Sequence, residues 1–272
     1  VAQTNNQGKE MKKIVFIACL TSVLSACGGG GSGTATQPQA ASGNQPTSDS
    51  APSSAPAAPR PVLIEAYGDS TMAGYSYPTP NQPAVIVDDN QPAVLQATLQ
   101  ARYGNTVTVK NEGVSGTRAP QLIDGSDGAH LPWIQTVANS KAQIVIVNYG
   151  INDSVSWTTE SVDAYKNALR AIADVAVSGG KAIVFEQPNP ICLPNSGNAE
   201  YKTLATYAQA MADVATEKGV PIADNYAYVL SLPNWQDMLS DCKHPKGALY
   251  ELEAKRLAIV VAPLASKAAT AM

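Results

Sequence analysis

Ser70 ends the triplet Gly68-Asp69-Ser70. His244 ends the run Asp241-Cys242-Lys243-His244, with a carboxylate three residues before the imidazole. A hydroxyl is a poor nucleophile until a base takes its proton, and near neutral pH imidazole is the side chain suited to that task. In a turn, Asp241 can fold back onto Nδ1–H of His244, fixing the tautomer and leaving Nε2 for the serine hydroxyl. Two further words offer donors for a developing oxyanion. In Ser115-Gly116 the glycine lets a backbone N–H come close, and in Gly150-Ile151-Asn152-Asp153 the Asn152 side chain carries an amide NH₂. The Ser70 N–H, at the positive end of a helix, is a third donor. Each word also has an ordinary reading by itself: Asp69-Ser70-Thr71 as an N-cap cluster, the other two as turns. Together, in this order, they point to acyl transfer through Ser70, with His244 as base and Asp241 as its orienting carboxylate. The remaining histidine, His130, follows Asp124, Ser126 and Asp127 in a polar stretch and is read as a surface residue or a substrate contact, without a partner nearby in sequence.

The elements that must position these groups follow from hydrophobic periodicity. Apolar runs at 62–67, 106–109, 143–149, 182–186 and 220–223 read as strands. Helical patterns lie near 92–103, 131–140, 160–178, 199–218 and 247–268, with shorter turns near 226–239. Apolar groups at helical spacing run from Val162 through Tyr165, Leu169, Ile172 and Ala176, and Gly179-Gly180 stops them. The stretch from Tyr75 to Pro92, rich in Pro, Asn and Gln, reads as an irregular loop. Alternating strands and helices imply an α/β fold of three layers, a flavodoxin-like parallel sheet of about five strands with helices on both faces, for which the default order is 2-1-3-4-5. In such sheets ligands bind past the carboxyl ends of the strands. Ser70, the Ser115-Gly116 loop and Asn152 follow the first three strands, and His244 follows the fifth.

The four words resemble the sequence blocks of the SGNH hydrolases, also called the GDSL esterase/lipase family. The resemblance covers residues 62–250. It implies Ser70 as nucleophile, Ser70, Gly116 and Asn152 as oxyanion donors, and Asp241 with His244 as the acid–base pair. Thr71 stands where the family's nickname has leucine, which changes no chemistry, and Cys242 is not part of the family pattern. The Gly-x-Ser-x-Gly elbow of α/β-hydrolases is absent. No cofactor or metal is implied, since the chain has one well-placed histidine and no Cys/His cluster at zinc spacing.

The amino end carries a second message. Met11, then Lys12 and Lys13, then the apolar stretch 14–24 and Leu24-Ser25-Ala26-Cys27 read as a lipoprotein signal, so that residues 1–27 are leader and signal with cleavage before Cys27. The apolar run is short for a membrane span, which needs about 20 apolar residues. Lipid on Cys27 would anchor the chain, and resemblance to Gram-negative lipoproteins, with Gly28 rather than Asp after the cysteine, implies the outer membrane. Residues 28–61, mostly Gly, Ser, Ala, Pro, Gln and Thr, read as a disordered tether. Residues 62–272 form the folded domain. Cys192 and Cys242 are the two cysteines left to it, and an oxidising compartment favours their disulfide over a pair of buried free thiols.

The net charge of −4 argues against nucleic acid. The expected partner is a small-molecule, glycan or lipid ester at the cell envelope. With two phenylalanines and no long amphipathic lid, a short acyl group such as acetyl is favoured. A lipase or phospholipase, a thioesterase, an O-acyltransferase and a non-catalytic glycan-binding module remain the alternatives.

Overall fold

The computed structural model describes residues 60–79, 82–155, 161–192 and 204–271. The stretch expected to be a lipoprotein signal, the expected lipidation site Cys27 and nearly all of the expected tether lie outside the described residues, as does the start of the helix expected at 199–218.

Five strands form one parallel sheet. These are β1 (Val62–Gly68), β4 (Val107–Gly113), β5 (Ile144–Asn148), β6 (Ala182–Glu186) and β7 (Ile222–Ala223), in the spatial order β4-β1-β5-β6-β7. Numbered among themselves, these strands run 2-1-3-4-5. A two-stranded antiparallel pair, β2 (Tyr75–Ser76) with β3 (Val85–Ile86), stands apart. The helices are α1 (Ser70–Ala73), α2 (Gln91–Tyr103), α3 (Ala119–Asp124), α4 (Trp133–Asn139), α5 (Val162–Ser178), α6 (Leu204–Lys218), α7 (Asn225–Ser231) and α8 (Gly247–Thr270), with a 3₁₀ turn at Trp235–Met238.

Successive strand residues face opposite sides, so β5 feeds two cores at once. Val145 and Val147 pack with Tyr67 and Phe185 under α3 to α6. Ile144 and Ile146 pack with Ile64, Ala66 and Val184 under α2 and α8. The stripe of α5 (Tyr165, Leu169, Ile172, Ala173, Ala176) is buried at helical spacing. Its first turn is capped by Ser161, whose side chain accepts from the Ala164 N–H at 3.1 Å. The indole N–H of Trp133 donates to the Ile172 carbonyl at 3.0 Å, which ties α4 to α5 without leaving a buried donor unmet.

Two expectations need correction. The second strand does not stop at residue 109 but continues through Lys110, Asn111 and Glu112 to Gly113, paired with β1 throughout. As the edge strand it has one side open to solvent, where charged side chains cost little. The stretch from Tyr75 is not wholly irregular, because it contains the β2–β3 pair, and α2 begins at Gln91 on an Asn90 cap.

Candidate active site

Strand β1 ends at Gly68, and Asp69 turns the chain into the single helical turn of α1. The Asp69 carboxylate Oδ1 accepts from the Thr71 N–H at 2.9 Å and from the Thr71 hydroxyl at 2.8 Å. This is the N-cap geometry that satisfies otherwise orphaned helix donors. Ser70 is therefore the first residue of the turn. Burial pushes the Asp69 carboxyl up, against the pull of the Thr71 donors and of His244.

His244 arrives from the far end of the sheet. Its Nε2 lies 2.9 Å from Ser70 Oγ, and its Nδ1 lies 2.8 Å from Asp241 Oδ2. The backbone N–H of His244 donates to Asp241 Oδ1 at 2.7 Å and that of Lys243 to the same oxygen at 3.1 Å, so the carboxylate is held by its own turn. Burial works against ionisation of Asp241, but the His244 ring and these N–H groups outweigh it, and the carboxyl sits below the usual range. A carboxylate on Nδ1 fixes the proton there and presents Nε2 as an acceptor for a hydroxyl proton.

The turn is held from several directions. Cys242, with φ at +68°, is disulfide-bonded to Cys192, and the Cys192 N–H donates to the Cys242 carbonyl at 2.9 Å. The Asn189 amide donates to the Lys243 carbonyl at 2.9 Å. The Ser240 N–H and hydroxyl both donate to the His244 carbonyl, at 2.8 and 3.0 Å, and the Tyr77 N–H donates to the Ser240 hydroxyl at 3.0 Å.

In the loop after β4, Gly116 is exposed with φ at +79°, a backbone region that favours glycine. Asn152 donates its Nδ2 to the Thr117 carbonyl at 3.1 Å and to Asp69 Oδ2 at 3.3 Å. One amide thus links the loop after β4, the turn after β1 and the loop after β5. Asp153, fully buried beside it, accepts from the Ala119 N–H at 2.9 Å and braces the start of α3. Residues from four loops thus meet at the carboxyl ends of the strands.

A family model described as GDSL-like lipase/acylhydrolase matches residues 66–252. The chain belongs to this family. It is accordingly a carboxylic ester hydrolase by class. No curated protein matches the chain. Among solved structures, an aryl esterase of M. smegmatis in its inhibitor-bound form is similar at 18% identity, with a TM-score of 0.59 over 75% of this chain and 99% of the other. A lipase/acylhydrolase from Enterococcus faecalis is similar at 17% identity, with a TM-score of 0.60 over 74% and 95%. A carbohydrate acetylesterase from Sinorhizobium meliloti is similar at 18% identity, with a TM-score of 0.57 over 75% and 99%. At such identities these likenesses establish a shared fold.

Within this GDSL-like domain, His130 is neither a surface residue nor without a partner. Its Nδ1 lies 2.7 Å from Asp127 Oδ2 and its N–H donates to Asp127 Oδ1 at 2.8 Å, the same bonds that join His244 to Asp241. Its Nε2 faces Glu112 Oε2 at 3.5 Å, and its ring stands edge-on to Tyr67. Glu112 and then Asp127 hold the imidazole pKa above its ordinary value, against the effect of burial. Both ring nitrogens face carboxylates, so this couple clasps the α3–α4 connection to β4. The Asp-x-x-His spacing that marks His244 was present here as well and identifies Asp127 as the partner.

Two residues near His244 carried no signal in the sequence. The rings of Tyr77 and Tyr75 lie 5.6 and 6.4 Å from the imidazole, centroid to centroid, and both are half-buried. Among the described residues, no group of three or more His, Cys, Asp or Glu side chains is placed to hold a metal ion.

Proposed function

We propose that the chain is a serine esterase working through a Ser70–His244–Asp241 acyl-enzyme mechanism on short-chain esters, acetyl esters above all. The observation that carries this reading is the continuous pair of contacts from Ser70 Oγ to His244 Nε2, 2.9 Å, and from His244 Nδ1 to Asp241, 2.8 Å. His244 Nε2 takes the hydroxyl proton as Ser70 Oγ bonds to the ester carbonyl carbon. The oxyanion forms among the N–H groups of Ser70 and Gly116 and the Asn152 amide, which exchanges its 3.3 Å bond to Asp69 for one to the oxyanion. His244 then gives its proton to the departing alkoxide, and the carbon–oxygen bond to the alcohol breaks. Water repeats the sequence on the acyl-enzyme and releases the acid.

Family membership supports ester hydrolysis, and a chain with two phenylalanines favours a small acyl group. The occurrence of an aryl esterase and a carbohydrate acetylesterase among the structural relatives agrees with it. The test compares p-nitrophenyl acetate, octanoate and decanoate with purified protein. A falling profile with chain length supports the assignment, and a rising one makes the protein a lipase. A fluorophosphonate probe labelling the wild type but not Ser70→Ala identifies the nucleophile, and no labelling of either refutes it.

We also propose that lipid on Cys27 holds the domain at the cell envelope, on the outer membrane, a reading supported by the signal-like stretch before that cysteine. Incorporation of labelled palmitate into the wild type and its loss in Cys27→Ala would support this. Equal labelling of both would reject it.

A further inference from the structure

We infer that Tyr77, assisted by Tyr75, forms the subsite for the alcohol half of the ester and that the alcohol it takes is a sugar ring. This rests on the reading of Ser70 and His244 as the reacting pair. The departing oxygen collects its proton from His244 Nε2, so the alcohol must lie against the imidazole while the acyl half stays with Ser70 and the oxyanion donors. Among the described residues, the aromatic side chains against that imidazole are Tyr77 and Tyr75, their planes tilted 48° and 39° from it.

The backbone at both residues is held by hydrogen bonds. The Tyr77 N–H donates to Ser240 Oγ, which itself donates to the carbonyl of His244. The Tyr75 carbonyl accepts from the Tyr250 hydroxyl at 2.8 Å, and Tyr75 pairs with Ile86 across the β2–β3 ladder. A wall carried on backbone already held in place costs less ordering on binding than one on a mobile loop. Across the ladder from Tyr75, Ile86 is 58% exposed and extends the wall as an apolar rim. A tyrosine offers a broad apolar face with a hydroxyl at its edge. That combination suits a pyranose, which has a flat C–H face bordered by hydroxyls. A flexible fatty alcohol has no flat face to match and gains less from fixed rings.

The experiment measures kcat/KM for an acetylated xylo-oligosaccharide and for ethyl acetate, which share an acyl group and differ in alcohol. The readout is the ratio of the two. The wild type is expected to favour the sugar ester. Tyr77→Ala should lower the ratio about tenfold, mainly through KM of the sugar ester, the size expected for losing a well-placed aromatic contact. Tyr77→Phe should keep most of the preference, and Tyr77→Leu, which retains bulk without a flat face, should lose it. An unchanged ratio in Tyr77→Ala and Tyr77→Leu overturns the inference, as does a wild type that handles ethyl acetate as well as the sugar ester. A loss in Tyr77→Ala that grows with acyl length on one fixed alcohol also overturns it, placing Tyr77 on the acyl side. Failure of the wild type to hydrolyse any ester, with Ser70 unlabelled, would refute the esterase mechanism itself and is a separate result.

Discussion

Gly113, the last residue of the edge strand, lies so close to Ala73 that a Cβ on the glycine would stand 2.3 Å from the Ala73 backbone nitrogen. The obstacle is backbone, which cannot swing aside as a side-chain tip can. The helical turn that begins at Ser70 therefore rests directly on the end of β4. Gly113→Ala should displace that turn, lowering stability by about 1–3 kcal/mol and reducing kcat together with it. Denaturant titration beside an esterase assay checks this, and wild-type values in both would contradict the close packing.

Under the proposed mechanism, Ser70→Ala should lower turnover by about 10⁶, since it removes the attacking oxygen. Asn152→Ala should cost about 10²–10³ in kcat, the usual loss for one oxyanion donor. Because its Nδ2 also holds the Thr117 carbonyl and Asp69, a small decrease in melting temperature should accompany the kinetic loss. Steady-state kinetics on p-nitrophenyl acetate separates the two variants.

The Cys192–Cys242 bond closes a loop with a sequence separation of 50 residues. Under the chain-entropy treatment, a link of that span stabilises by up to about 4 kcal/mol. The double variant Cys192→Ser, Cys242→Ser should melt well below the wild type. Its kcat should fall less steeply, because the Asn189 and Ser240 hydrogen bonds still hold the turn. Dithiothreitol should shift the wild type towards the double variant and leave the double variant unmoved.

Glu186, fully buried at the end of β6, accepts from the side-chain amides of Gln91 and Asn225. Burial pushes its carboxyl up to about 7, against the opposing effect of the Asn148, Gln91 and Asn225 amides. Glu253, also buried, is pushed well up by burial and by the charge of Glu186. The folded state keeps a proton that the unfolded chain gives up. The associated stability is therefore complete below the unfolded glutamate pKa of about 4.3 and is lost as pH rises towards 7. Glu186→Gln keeps an acceptor for its neighbours and removes the titration. Its melting temperature should exceed that of the wild type at pH 8 by more than at pH 5. A pH-independent difference would show that the proton is not involved.

Much of this arrangement is legible in the residues alone, for identifiable reasons. β5 and β6 are continuous apolar runs because both of their faces are covered, and runs of that kind are readable without tertiary context. Ser70, Asn152 and His244 can be placed because the carboxyl ends of parallel strands are where such residues are used. The end of β4 escapes such reading because Lys110, Asn111 and Glu112 owe their conformation to pairing with β1, a partner more than forty residues away. The β2–β3 pair has two residues per strand, too few to show a period. Tyr77 is marked only by the fold that brings it to His244.

The clasp at His130 has a practical consequence for spectroscopy. The chain has two histidines, and each has its Nδ1 bonded to an aspartate three residues earlier. The low-field proton spectrum should therefore hold two imidazole resonances of similar origin. A compound that reacts at Ser70 should shift one and leave the other in place, giving every titration an internal reference supplied by the protein itself.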